Sequence, residues 1–238
     1  MGELGRKALA EGVGTGLLVA GVVGSGIFAV RLSPDDVGIQ LLENSTATAG
    51  ILVALILAFG SVSGAHFNPV VTIVDRLLGG MDTRAAAAYV GAQVVGGALG
   101  TVIANLMFEL PAIELSTRER ATGGEWLGEV VATFGLLVVI LGVVRSGRSS
   151  TAPFAVAGYI AAAYWFTSST SFANPAVTIA RTLSDTFAGI EPASAPLFVV
   201  AQLVGGGLAL AFARAVFPDL TASDEVDGAQ AVVVPHDG

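Results

Sequence analysis

The chain has no cysteine and only two histidines. Disulfides, thiol redox chemistry and thiolate metal sites are therefore excluded. One histidine, His236, stands near the C-terminus, and no nucleophile–base or metal-ligand spacing accompanies the other, His66. Neither an enzymatic reaction nor a cofactor is expected. Charge is also scarce. Charged residues make up 13% of the chain, against roughly 25% in an ordinary soluble domain. A formal net charge of −8 repels a phosphate backbone, so nucleic acid is not an expected partner.

Apolar residues fill the space, at 53% of the chain and a mean hydropathy of +0.77. The runs at 9–30, 46–62, 85–108, 126–144, 153–166 and 197–217 each approach the ~20 residues that cross ~30 Å of hydrocarbon as a helix. The fifth is short unless polar residues 167–171 prolong it against protein or water. Six spans predict one all-α integral membrane domain over residues 1–218. Arg6 and Lys7 before an apolar run look like a signal peptide, but that run is long enough to span and lacks a small-x-small exit. Residues 219–238 hold Asp219, Asp224, Glu225, Asp227 and Asp237, and a disordered acidic tail is expected there. A cytoplasmic N-terminus puts Arg6, Lys7, Arg76, Arg84, Arg145, Arg148 and Arg214 inside, and Arg31, Arg118, Arg120 and Arg181 outside. That bias predicts both termini on the cytoplasmic side of the cell membrane.

The chain repeats itself, with half-repeats at about 1–110 and 120–218. A-E-G-V-G-T-G-L-L-V from Ala10 matches L-G-E-V-V-A-T-F-G-L-L-V from Leu127. H-F-N-P-V-V-T-I-V from His66 matches F-A-N-P-A-V-T-I-A from Phe172, and Y-V-G-A-Q-V-V-G-G-A-L from Tyr89 matches V-V-A-Q-L-V-G-G-G-L from Val199. Asn174 follows Asn68 by 106 residues and Gln202 follows Gln93 by 109. Three spans per half, an odd number, make the second half enter the membrane in the opposite sense. The result is an inverted repeat.

Pro69 and Pro175 each follow an asparagine and precede a short apolar stretch. Asparagine is a favoured N-cap and proline suits the first helical turn, so Asn68-Pro69-Val70 and Asn174-Pro175-Ala176 read as helix starts. The helices expected at 70–78 and 176–187 reach ~14–18 Å, about half the hydrocarbon thickness. Such backbone is tolerated at depth only where it is buried in protein or lines a wet cavity. Two re-entrant half-helices meeting at mid-membrane would turn their positive dipole ends on a pore and disfavour cations. Their asparagine amides would still donate to a neutral solute. A pair of capped loops packed inside a transporter is the alternative.

S-G-A-H-F-N-P-V-V-T at 63–72 and S-F-A-N-P-A-V-T at 171–178 resemble the twin signatures of the major intrinsic protein family, the aquaporins and aquaglyceroporins. A-E-x-x-G-T at 10–15 supports the resemblance, which covers residues 10 to about 217. It implies six tilted helices plus two half-helices, assembled as a homotetramer with one pore per subunit. It also implies that Glu11 and Glu129 are buried glutamates supporting the pore loops, although a helix-end glutamate reaching water is an alternative for Glu11. His66 matches a pore-lining histidine; a satisfied loop histidine and a proton-driven gate are the other readings.

The family's selectivity filter is carried over by spacing to Thr48, Ala162, Ser171 and Val177. Most of the family has arginine at the position of Val177. Without it, and without the histidine or bulky aromatics of other branches, the ring is small and weakly polar. It resembles the bacterial branch with valine there, linked to passage of arsenite, as neutral As(OH)3, and methylated arsenicals. Arg181, one turn beyond Val177, reaches the outer vestibule, pairs with Asp185, or meets solvent. The expected function is a passive channel for small neutral solutes, glycerol-like polyols or arsenite together with some water. A water-selective aquaporin and a secondary transporter are the alternatives.

Overall fold

Each half of the chain folds into three long helices and one short one. The computed structural model describes residues 1–217; the acidic tail expected at 219–238 lies outside the described residues. In the first half these are α1 (Glu3–Leu32), α2 (Val37–Ser63), the short α3 (Pro69–Leu78) and α4 (Thr83–Met107). In the second they are α5 (Gly123–Arg145), α6 (Ala152–Phe166), the short α7 (Pro175–Arg181) and α8 (Ala195–Val216). Their starts are written locally. Asp36 and Asp82 accept from the backbone N–H groups of Ile39 and Ala85, and Thr122 with Glu125 forms a capping box on α5. Gly64, at φ 84°, ends α2 in the left-handed conformation that admits glycine readily and turns the chain into the first pore loop.

Helices α1, α2, α4, α5 and α8 are long and apolar enough to cross a bilayer. The fifth expected span is corrected here. Residues 167–171 do not prolong α6, because Thr167 turns extended and its hydroxyl donates to the Ala163 carbonyl at 2.7 Å. α6 is therefore a helix of 15 residues, about 22 Å long at 1.5 Å per residue. The second half-helix is also shorter than the expected 176–187, ending at Arg181. Beyond it the Thr182 and Leu183 carbonyls accept from the N–H groups of Ser116 and Glu114 in the 108–122 connection. With those carbonyls turned to the connection, the helical ladder stops at Arg181.

Within each half, the first and last long helices cross at backbone contact. A Cβ on Gly96 of α4 would lie 2.0 Å from the Gly12 carbonyl oxygen of α1, and one on Gly100 would lie 2.1 Å from that of Gly16. The second half repeats the device, with a Cβ on Gly205 of α8 falling 2.5 Å from the Val130 oxygen of α5. Small residues four apart allow helices to approach this closely where lipid supplies no hydrophobic drive. Val95, Leu99 and Ile103 on α4, and Val200, Val204 and Leu208 on α8, are left exposed on the outer faces, as lipid-facing stripes would be. The two half-helices fill the interior between the halves. α7 packs on α4 and α3 on α8, so each half-helix is held by both repeats.

Candidate functional site

The asparagines do two jobs each. Asn68 Oδ1 accepts from Val70 N at 2.9 Å, and Asn174 Oδ1 accepts from Ala176 N at 3.0 Å and Val177 N at 3.3 Å, capping α3 and α7. Pro69 and Pro175 stand at the first helical position of each. Asn68 Nδ2 then donates to the Ala173 carbonyl, and Asn174 Nδ2 to that of Phe67, both at 2.7 Å. The half-helices are thus clasped tip to tip. An amide nitrogen carries two hydrogens, so each asparagine keeps one further N–H beside the cavity that both line.

The loops before the caps are built as a matched pair. Ala65 and Phe67 sit at φ 50° and 48°, and Ser171 and Ala173 at φ 51° and 48°, again 106 residues apart. Non-glycine residues in this region cost of order 1–3 kcal/mol each and persist only where neighbours over-determine them. The neighbours are Glu11 and Glu129, both 0% exposed. Glu11 accepts from His66 N (2.9 Å), Phe67 N (2.6 Å), Ser63 Oγ (2.6 Å) and Gln93 Nε2 (2.8 Å). Glu129 accepts from Phe172 N and Ala173 N, both at 2.8 Å, and from Gln202 Nε2 at 2.5 Å. A helix-end role in water is thereby excluded for Glu11. In a planar trans peptide the C=O opposes the N–H, so tying these N–H groups outward turns the facing carbonyls to the lumen. Gln93 and Gln202 also donate to Thr72 Oγ1 (3.0 Å) and Thr178 Oγ1 (2.8 Å). These two glutamines and two threonines stood in the repeated motifs as landmarks only; their recurrence was the signal of a shared support.

A cavity runs past both asparagines. Thr48, His66, Ser171, Val177 and Arg181 line it, whereas Val70 and Ala176 are buried behind it in the half-helices. His66 Nδ1 lies 3.1 Å from Thr72 Oγ1, and Nε2 lies 3.9 Å from Asp75 Oδ2, a buried carboxylate that the motif reading passed over.

Ala162 does not line the cavity. It is exposed on α6, whose inner face carries Val156, Ile160 and Tyr164 at four-residue steps. Tyr164 meets the neighbouring helix α2, its hydroxyl 3.1 Å from Thr48 Oγ1. Counting back from Asn174 gives the wrong face by two residues, so an aromatic hydroxyl stands where a methyl was expected.

Arg181 pairs neither with Asp185 nor with solvent. Asp185 accepts instead from Thr117 N at 2.9 Å and Thr117 Oγ1 at 3.1 Å. Arg181 is 2% exposed, donates from Nε to the Ala188 carbonyl, and lays its guanidinium over Phe172, with Cζ 3.4 Å from the ring centroid. Arg120 covers the same ring at 4.9 Å. Burial lowers the Arg120 pKa to about 10, still far enough above neutrality to keep the charge.

The comparisons agree with this architecture. The family profile described as Major intrinsic protein matches residues 2–171. Aquaglyceroporin AqpS of Rhizobium meliloti (strain 1021) is 51% identical over 212 residues, covering 89% of this chain and 90% of that protein. Aquaporin AqpM of Methanothermobacter marburgensis is 32% identical, covering 88% and 96%. The X-ray structure of the aquaglyceroporin from Plasmodium falciparum shares the fold with a TM-score of 0.69 at 20% identity, over 91% of this chain and 98% of that one. With the signatures, the duplicated frame and these matches in hand, the chain belongs to the major intrinsic protein family and is a multi-pass membrane channel for small neutral solutes.

Proposed function

We propose that this channel passes polar solutes larger than water, namely glycerol-like polyols and neutral metalloid acids such as arsenite or methylated arsenicals, together with some water. The observation that carries the reading is the two-sided wall beside Val177. Val177, 5% exposed, and Ile160 offer an apolar surface to the lumen, while Thr48, Tyr164 and Ser171 offer hydroxyls. A polyol has one carbon-rich edge and one hydroxylated edge, and it fits such a wall without leaving either side unmatched. An arginine at position 177 would fill the apolar side with a hydrated charge. The name of the Rhizobium relative, aquaglyceroporin, points the same way. The reading includes a homotetramer in the cell membrane with one pore per subunit and both termini cytoplasmic, supported by the family resemblance and the distribution of Lys and Arg. Stopped-flow measurements on proteoliposomes should show glycerol and arsenite entering alongside water. Val177→Arg should cut glycerol entry about tenfold, the effect of ~1.4 kcal/mol on a barrier, while water still passes. Identical solute profiles for the two proteins would remove Val177 from the filter.

A further inference from the structure

Arg181 is buried without a carboxylate. Among the described residues its one hydrogen bond runs from Nε to Ala188, and its two terminal amino groups have no partner. Arg181 lines the lumen. A guanidinium held inside a protein is stable only where its N–H groups are satisfied, and here water or a passing solute in the cavity is what can satisfy them. The position is fixed by the helix. Arg181 stands four residues after Val177 on the same face of α7, and helical side chains lean toward the N-terminus. The guanidinium therefore covers the turn that holds Val177, and it rests on Phe172 next to Ser171. The Ser171 hydroxyl is buried and unpartnered, and Ser171 lines the same cavity.

We infer that Arg181 is the cation of this channel's filter, supplied from one turn beyond the usual position. With the Ser171 hydroxyl it binds solutes that carry two or more acceptor oxygens on one side, and it turns back small cations. The inference rests on Val177 facing the lumen as proposed above. Arg181 has four terminal N–H donors in a plane, matched to adjacent oxygens of a polyol or an oxyacid. Urea, with one acceptor oxygen, gains less. The set-back position leaves the apolar wall at Val177 open to the solute's carbon edge while the charge remains at its oxygen edge.

The test uses full-length protein in liposomes, comparing wild type, Arg181→Met, Arg181→Lys and Val177→Arg. Guanidinium uptake and the ratio of glycerol to urea flux are read for each protein that elutes monodisperse. Wild type and Arg181→Lys should exclude guanidinium, and Arg181→Met should admit it at least about tenfold faster. Arg181→Lys should lower the glycerol-to-urea ratio about tenfold, since the ammonium keeps the charge but loses the planar fork. Guanidinium exclusion by Arg181→Met overturns the assignment. If that variant is not recovered folded, Arg181→Lys decides alone, and an unchanged ratio overturns it. A glycerol profile altered by Val177→Arg beside unaffected Arg181 variants would remove Arg181 and leave the filter wall intact. Variants at both positions that behave as wild type would remove both.

Discussion

Besides the Ser169 hydroxyl, Glu129 collects three donors, from Phe172 N, Ala173 N and Gln202 Nε2, in a place with no water-exposed surface. Glu129→Leu strands all three at about 1–3 kcal/mol each, enough to remove most of a membrane domain's margin. Glu129→Gln keeps the shape and one acceptor oxygen but turns an N–H toward other donors, so its loss is smaller. Thermal unfolding in detergent should rank wild type above Gln and Gln above Leu, with glycerol flux following the same order. A Leu variant melting with wild type would mean that Glu129 does not hold the loop. The glutamate was legible because it repeats Glu11 in a matching motif. Ala162 misled because a count from Asn174 assumes a fixed path, whereas the exposed face of α6 is set by Tyr164 reaching Thr48. A contact between residues 116 apart in sequence leaves no local mark. Asp75 beside His66 was missed for the same reason, since nine residues of sequence hide a 3.9 Å approach.

Elements were read best where their ends are encoded locally. The Asn-Pro starts of α3 and α7 combine a cap and a fixed φ, and both fell where expected. The end of α7 did not, because the Thr182 and Leu183 carbonyls are drawn off by the 108–122 connection, and no residue type announces that. The contact between α1 and α4 lies between these cases. Its glycines are visible in sequence, but only geometry tells which of them face a backbone. Gly100→Leu would set a Cβ 2.1 Å from the Gly16 oxygen, forcing the helices apart at a cost of about 1–3 kcal/mol or more. Gly91 on the same helix has nothing within 4 Å of an added Cβ, so Gly91→Ala should be neutral or raise stability by about 0.5–1 kcal/mol. Denaturant titration of the purified protein checks the pair. Equal midpoints would show that the helices do not cross where the structure has them.

For the whole molecule, the clasp at the centre decides how transport works. Inverted repeats also build carriers, which rock one repeat against the other around a central site. Here each half-helix is packed on the opposite repeat, and the Asn68–Ala173 and Asn174–Phe67 bonds cross the pseudo-two-fold axis at 2.7 Å. Rocking would break both bonds and strand four buried polar groups, at about 1–3 kcal/mol each, besides releasing the strained loop residues that Glu11 and Glu129 hold. A structure fastened in this way conducts without changing shape. Glycerol flux in proteoliposomes should therefore rise in proportion to the glycerol gradient without saturating. An imposed proton or sodium gradient should leave it within about twofold of the symmetric value, less than ~0.5 kcal/mol on the barrier. The lumen does hold a histidine, His66, with the Asp75 carboxylate 3.9 Å from its ring, so the proton gradient is the demanding arm of the experiment. Accumulation of glycerol against its own gradient would require the clasp to open once per cycle, and a disulfide-free lock built by Asn68 and Asn174 would then have to be a gate.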